Sequence, residues 1–142
     1  MNFRESSAGF LANHMARLFA SALAEGLRPL GMAPAQFMVL LELWREDGVT
    51  QRQLVERLDV EQATMASTLN RMERDGLITR RAHARDRRAQ TIHLSDRARQ
   101  LEEEAKRIAR GVNERALSRL SPEERLFFTR LMREVIGSLR TP

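Results

Sequence analysis

The sequence predicts a mainly α-helical chain carrying one small β-hairpin. Apolar residues recur every three or four positions along most of its length. Between residues 77 and 94 that period gives way to alternation. The hairpin region also holds the charge excess. The 142 residues carry 24 basic and 19 acidic side chains, a net charge of +5, and Lys106 is the only lysine. Residues 71–99 contain nine arginines against four acids, so the rest of the chain is neutral. A basic stretch inside a neutral chain suggests a polyanion-binding element, where scattered charge would suggest a solvated face.

The first helix is expected over 7–26, where Leu11, Met15, Leu18 and Ala22 are spaced 4-3-4 and Gly26 and Pro29 end the run. A second starts at Pro34, a residue suited to a first helical turn. It carries Phe37, Met38, Leu40, Leu41 and Trp44, and Asp47-Gly48 closes it. Thr50 and Gln53 form a capping box opening a short helix over 51–58. A tight Asp59-Val60 connection leads to a helix over 61–75 that stops at Gly76. Residues 78–82 and 90–94 alternate as two strands, with a polar tip between them. Ser95 then caps a long helix. Its Leu94, Ala98, Leu101, Ala105, Ile108 and Val112 are spaced 4-3-4-3-4, a heptad seam. Ser121-Pro122-Glu123-Glu124 starts the last helix, with Phe128, Leu131, Val135 and Leu139 on one face.

Several classes drop out. The absence of cysteine excludes disulfide scaffolds, thiolate metal sites and thiol redox switching. The longest charge-free run, 29–41, is too short for a bilayer span and holds two prolines. Arg4 and Glu5 stand where a secretory signal needs an apolar core. The expectation is a cytoplasmic protein without membrane contact, cofactor or metal. His14, His83 and His93 lie on different elements and form no ligand pair, and no glycine-rich phosphate loop is present, so no enzyme is expected. His93 is expected on the exposed face of its strand.

On the helix 61–75, Met65, Leu69 and Met72 form an apolar stripe, and Thr64, Ser67, Thr68 and Arg71 lie opposite it. Short hydroxyls let a helix approach a groove closely, and arginine can fork onto guanine or hold a phosphate. With the preceding short helix this makes a helix-turn-helix. The hairpin tip, His83-Ala84-Arg85-Asp86-Arg87-Arg88-Ala89, gathers three arginines around one aspartate. A narrow minor groove attracts such arginines, and the aspartate is expected to orient a guanidinium. Together these elements read as a winged helix-turn-helix with a β-hairpin wing. The DNA-binding candidates are Gln62, Thr64, Ser67, Thr68, Arg71, Arg80, Arg85, Asp86, Arg87 and Arg88.

The stretch from Met32 to Leu101 resembles the MarR (multiple antibiotic resistance regulator) family. The motifs that carry the resemblance are "LNRMERDGLI" at 69–78 and the wing residues Asp86-Arg87-Arg88 followed by Leu94-Ser95. The resemblance implies a homodimer in which residues 1–33 and 95–142 form flanking dimerisation helices and 34–94 the DNA-binding domain. It implies a transcriptional regulator, read as a repressor, on a pseudo-palindromic double-stranded DNA operator. Arg88 is then the minor-groove residue and Asp86 its support. The family often has Thr or Ser where this chain has Ala33, which weakens a cap by about 1 kcal/mol. The lack of cysteine excludes the family's thiol-based sensors. Small aromatic or phenolic effectors bind many members between the dimerisation helices and the winged helix. The candidates for such a ligand are His14, Arg17, Phe37, Leu41 and Trp44. The competing assignment makes the last three core and Arg17 a surface ion-pair partner. The alternative function is a winged-helix protein-interaction module without operator binding.

Overall fold

A computed structural model describes residues 2–86 and 88–141. The elements are α1 (Phe3–Ser6), α2 (Ala8–Leu27), a 3-10 turn (Arg28–Leu30), α3 (Pro34–Arg45), β1 (Val49–Thr50), α4 (Gln51–Leu58), α5 (Gln62–Arg74), β2 (Ile78–Ala82), β3 (Gln90–Leu94), α6 (Asp96–Ala116) and α7 (Pro122–Arg140). By packing, the chain divides into two compact units, Met1–Ala109 and Arg110–Pro142. The predicted fold class stands: helices, a small antiparallel sheet, and helices flanking a winged helix-turn-helix. Three elements go beyond the sequence expectation: the 3-10 turn, α1 and β1. α1 is a single turn whose N-cap Asn2 accepts from the Glu5 N–H at 3.1 Å. β1 is a two-residue strand.

Local chemistry explains the boundaries. Thr50 accepts from the Gln53 N–H at 3.1 Å while Gln53 Oε1 accepts from the Thr50 N–H at 2.8 Å, so α4 opens on a reciprocal cap. Asp59 adopts φ 54°, a left-handed conformation that reverses the chain between α4 and α5. Gly76, with φ 74°, ends the α5 turn where a Cβ would be strained. Ala33 offers no side-chain acceptor, but Gln36 Oε1 takes the Ala33 N–H at 3.0 Å, so half of a capping box survives.

The sheet order is β1-β3-β2, all antiparallel. Val49 pairs with Ile92, and Arg80 pairs with Ile92 on the other side. The core lies between this sheet and α3, α4 and α5. It includes Leu40, Leu43, Leu54, Met65, Leu69, Met72, Leu77, Ile78 and Ile92, each at most 2% exposed. The recognition-helix stripe Met65-Leu69-Met72 therefore faces inward, and burial of a side chain of this size contributes about 1.5–3 kcal/mol. In α6, Ala98 and Ala105 of the heptad seam are fully buried, and Leu101 and Ile108 pack against the core. α2 approaches α6 closely at Gly26, where an added Cβ would lie 2.6 Å from Ile108 Cγ2.

His93 departs from its expected exposed position. Its side chain is only 17% exposed and covers Gly48, with Nε2 2.8 Å from Thr91 Oγ1. The reason is the unforeseen β1: the chain entering it places Asp47 and Gly48 against the outer half of β3. Asp47 also accepts from the Leu94 N–H at 2.8 Å and pairs with Arg99 at 3.2 Å.

A polar junction holds the C-terminal end of α5. Gln36, 6% exposed, donates to Asp75 Oδ2 at 3.0 Å, and Arg74 Nε donates to Asp75 Oδ1 at 3.1 Å. These bonds, the Gln36 amide first, hold the Asp75 carboxyl below its ordinary pKa. Arg97, in the first turn of α6, donates to the Asp75 carbonyl at 2.7 Å and to the Leu30 carbonyl at 3.0 Å.

In the second unit α7 opens on Ser121, which accepts from the Glu124 N–H at 3.2 Å while Glu124 Oε1 takes the Ser121 N–H at 2.9 Å. None of the described α7 residues is buried. Phe127, Leu131, Val135, Ile136 and Leu139 remain exposed along it. In the first unit Phe3, Phe10, Leu11 and Leu18 of α1 and α2 are exposed too.

Candidate nucleic-acid interface

α5 presents Thr64, Ser67 and Arg71 as exposed residues on the face opposite its buried stripe, and Gln62 is exposed in its first turn, above that stripe. Thr68 is half-buried, and its hydroxyl donates to the Thr64 carbonyl at 3.0 Å. That bond uses the hydroxyl's only proton and leaves its lone pairs and methyl for an outside partner. The Arg71 guanidinium makes no hydrogen bond or ion pair among the described residues.

The wing tip is built by short local bonds. The Arg88 N–H donates to Asp86 Oδ1 at 3.0 Å, and the Ala89 N–H donates to the Asp86 carbonyl at 3.1 Å. His83 Nδ1 accepts from the Arg85 N–H at 3.1 Å. Asp86 thus supports Arg88 through its backbone, in an Asx turn, and forms no ion pair with it. The pairing expected with one guanidinium is not made with Arg88: there the aspartate shapes the turn that aims the side chain. Arg85, Asp86 and Arg88 are exposed. Arg87 lies outside the described residues.

Arg80 is turned inward. It shares the inner face of β2 with Ile78, its side chain is 17% exposed, and its Nη2 donates to Asn70 Oδ1 of α5 at 2.7 Å. Its Nε is buried without a hydrogen bond and lies 3.9 Å from Glu73 Oε1. The guanidinium is committed to the helix behind the wing.

A cleft of about 540 Å³ joins the wing to the start of the helix-turn-helix. Gln62, Asp86 and Arg88 line it with Thr50, Arg52 and His83. Arg52 is not among the sequence candidates, although its place two residues after the N-cap Thr50 puts it at the positive end of a helix. Arg71 faces elsewhere, onto a second cleft of about 350 Å³ shared with Arg28 and Arg74.

The five ligand candidates do not share one environment. His14 and Arg17 are exposed on α2, and His14 meets Phe10 edge-on at 6.3 Å. Phe37 is 4% exposed and packs edge-on against Trp44 at 6.0 Å. Trp44 Nε1 donates to the Ala98 carbonyl at 3.1 Å, and Leu41 packs on the same core. Among the described residues no group of three or more His, Cys, Asp or Glu could hold a metal ion, and no helix is long and apolar enough to cross a membrane.

Comparison with known proteins agrees with this architecture. The MarR family model matches residues 30–89. The transcriptional regulator HosA of Escherichia coli O157:H7 is 32% identical over 103 residues, 72% of this chain and 76% of that protein. A MarR transcriptional regulator from Methanosarcina mazei Go1 has a TM-score of 0.86 at 25% identity, over 92% of this chain and 94% of that one. The repressor CouR, solved on a 23-mer DNA duplex, shares the fold with a TM-score of 0.87 at 22% identity, over 96% of each chain. The winged helix and its basic tip, with a relative of this identity over three quarters of its length, place the chain in the MarR family of DNA-binding transcriptional regulators.

Proposed function

We propose that the protein is a homodimeric repressor that binds a pseudo-palindromic double-stranded DNA operator, with α5 in the major groove and the wing in the adjacent minor groove. The observation that carries this reading is the pairing of two surfaces in one unit. An exposed helix face of Thr64, Ser67 and Arg71 belongs to the same unit as a wing tip whose Asp86 turn aims Arg88 outward, and Gln62 of that helix shares the wing's cleft. Base edges are reached by the first surface and phosphates or a narrow groove by the second. Arg85 and Arg87 add charge at the tip. Arg80 contributes by bracing α5 against β2. The dimer in this reading uses the flanking regions 1–33 and 95–142, whose apolar residues on α2 and α7 are exposed in a single chain. A small aromatic or phenolic effector belongs to the same reading. His14 and Arg17 would anchor it, since Phe37, Leu41 and Trp44 are committed to packing.

The test is selection of bound DNA from random duplexes. The expected product is an inverted repeat with half-sites about one helical turn, roughly 34 Å, apart. Log K should fall linearly with log salt, and Arg88→Ala should reduce that slope by about one unit. Absence of duplex binding, or binding insensitive to salt, would instead favour the protein-interaction module.

A further inference from the structure

We infer that Arg97 is the positioning residue that sets the spacing between half-sites, by locking the recognition helix α5 to the start of the long helix α6. The inference rests on the homodimer–operator reading.

Two separate elements end at this arginine. One guanidinium nitrogen holds the carbonyl of Asp75, the C-cap of α5, at 2.7 Å. Another holds the carbonyl of Leu30, the last residue of the 3-10 turn after α2, at 3.0 Å. Both acceptors are carbonyls at helix ends, where the partial negative charge of the helix favours a cation. The fork of a guanidinium is rigid and planar, so two bonds from it fix direction as well as distance. The approach depends on Gly31. Its φ is 70°, and a Cβ there would lie 2.9 Å from Arg97 Nη2. The same Asp75 is gripped from the other side by Gln36 at the N-terminus of α3. Arg97 therefore closes a junction of α2, α3, α5 and α6 at the C-terminal end of α5. The wing strand grips the last turns of the same helix from another side, where Arg80 donates to Asn70.

In a dimer that associates through its helices, the recognition helices can be spaced only as accurately as each is fixed to its own long helix. A duplex is a severe judge of that spacing. Moving a half-site by one base pair shifts it by about 3.4 Å and rotates it by roughly 35°. Loosening the junction should broaden the set of spacings that are accepted, while leaving the bases read within a half-site unchanged.

The experiment measures affinity for a panel of duplexes carrying two identical selected half-sites, separated by the preferred distance or by one or two base pairs more or fewer. Wild type, Arg97→Ala, Arg97→Lys, Gly31→Ala and the control Arg99→Ala are compared, with thermal melts to confirm folding. Arg99 lies in the same stretch of α6 but pairs with Asp47 and Asp96, away from the junction. Wild type and Arg99→Ala should lose about tenfold per base pair of mis-spacing, the size of one lost base contact. Arg97→Lys keeps the charge but not the fork, and Gly31→Ala displaces the fork from outside. Both should flatten that ratio to below about threefold, with half-site sequence preference retained. A merely structural arginine would lower the melting temperature without changing the ratio. A sharp wild-type profile that Arg97→Lys and Gly31→Ala leave intact overturns this inference alone. A wild-type protein indifferent to spacing overturns the operator reading and the inference with it.

Discussion

Replacing Val135 by glutamate should convert the proposed dimer to a monomer without unfolding the chain. Val135 is 57% exposed and lies near the centre of an apolar arc on α7 that includes Phe127, Leu131, Met132, Ile136 and Leu139. The exposures of these six side chains, between 37% and 83%, together equal about three fully exposed residues. Burying that much contributes roughly 5–9 kcal/mol per protomer at about 1.5–3 kcal/mol a side chain. A two-fold interface presents each substitution twice. A glutamate buried there without a partner costs about 3–5 kcal/mol, so two cost roughly 6–10 kcal/mol. Dimer affinity should therefore weaken by about ten-thousand-fold or more, at 1.4 kcal/mol per decade. Sedimentation velocity at micromolar concentration is the assay, with far-UV circular dichroism confirming that the helices persist. A Val135→Glu protein sedimenting as a wild-type-sized dimer would refute α7 as the interface, and a monomeric wild type would refute the dimer itself.

Other tests address the folded unit. Leu69 is fully buried in the recognition helix, so Leu69→Ala should cost about 2–5 kcal/mol, a fall in melting temperature of roughly 10 °C; a shift of only a degree or two would mean that α5 is not anchored by this stripe. Gly26→Ala should destabilise by about 1–3 kcal/mol, because the new methyl meets Ile108 Cγ2, outweighing the helix-propensity gain of about 1 kcal/mol. The same change made in an Ile108→Leu background, which removes that branch methyl, should be neutral or stabilising, as a double-mutant cycle of melts will show. The depressed pKa of Asp75 gives stability that is present above the ordinary carboxylate value and lost as pH falls through the lowered one. The stability advantage of wild type over Asp75→Asn should thus shrink between about pH 5 and pH 3, and an advantage that grows on acidification would reverse the sign of this assignment.

Much of the fold was legible because its boundaries are made by neighbours in sequence. Thr50 with Gln53, Ser121 with Glu124 and Gly76 after α5 act within a turn of themselves. β1 was not legible, since two residues cannot display an alternation and Val49 is recruited by Ile92, 43 positions away. His93 went astray for the same reason, because the chain that covers it belongs to that strand. α1 did carry a local signal, Asn2 three residues before Glu5, but one turn has no period to find. Arg80 was legible in a way its charge concealed. It has the parity of Ile78 on β2, and parity decides the face of a strand whatever the side chain. The Arg97 junction lay beyond sequence reasoning, because its acceptors are two backbone carbonyls, which have no letter.

The sheet order has a consequence for solubility. With β3 in the centre, β1 and β2 are the open edges. An edge strand offers unpaired backbone groups to any passing chain and seeds aggregation. β1 is only two residues long, too short to template much. β2 is five residues long and carries adjacent arginines, Arg80 and Arg81, the second of them exposed. Two copies meeting along β2 would bring the exposed Arg81 side chains together, while Arg80 stays committed to α5. A charge that makes the wing basic thus also guards its edge against zipping to another molecule.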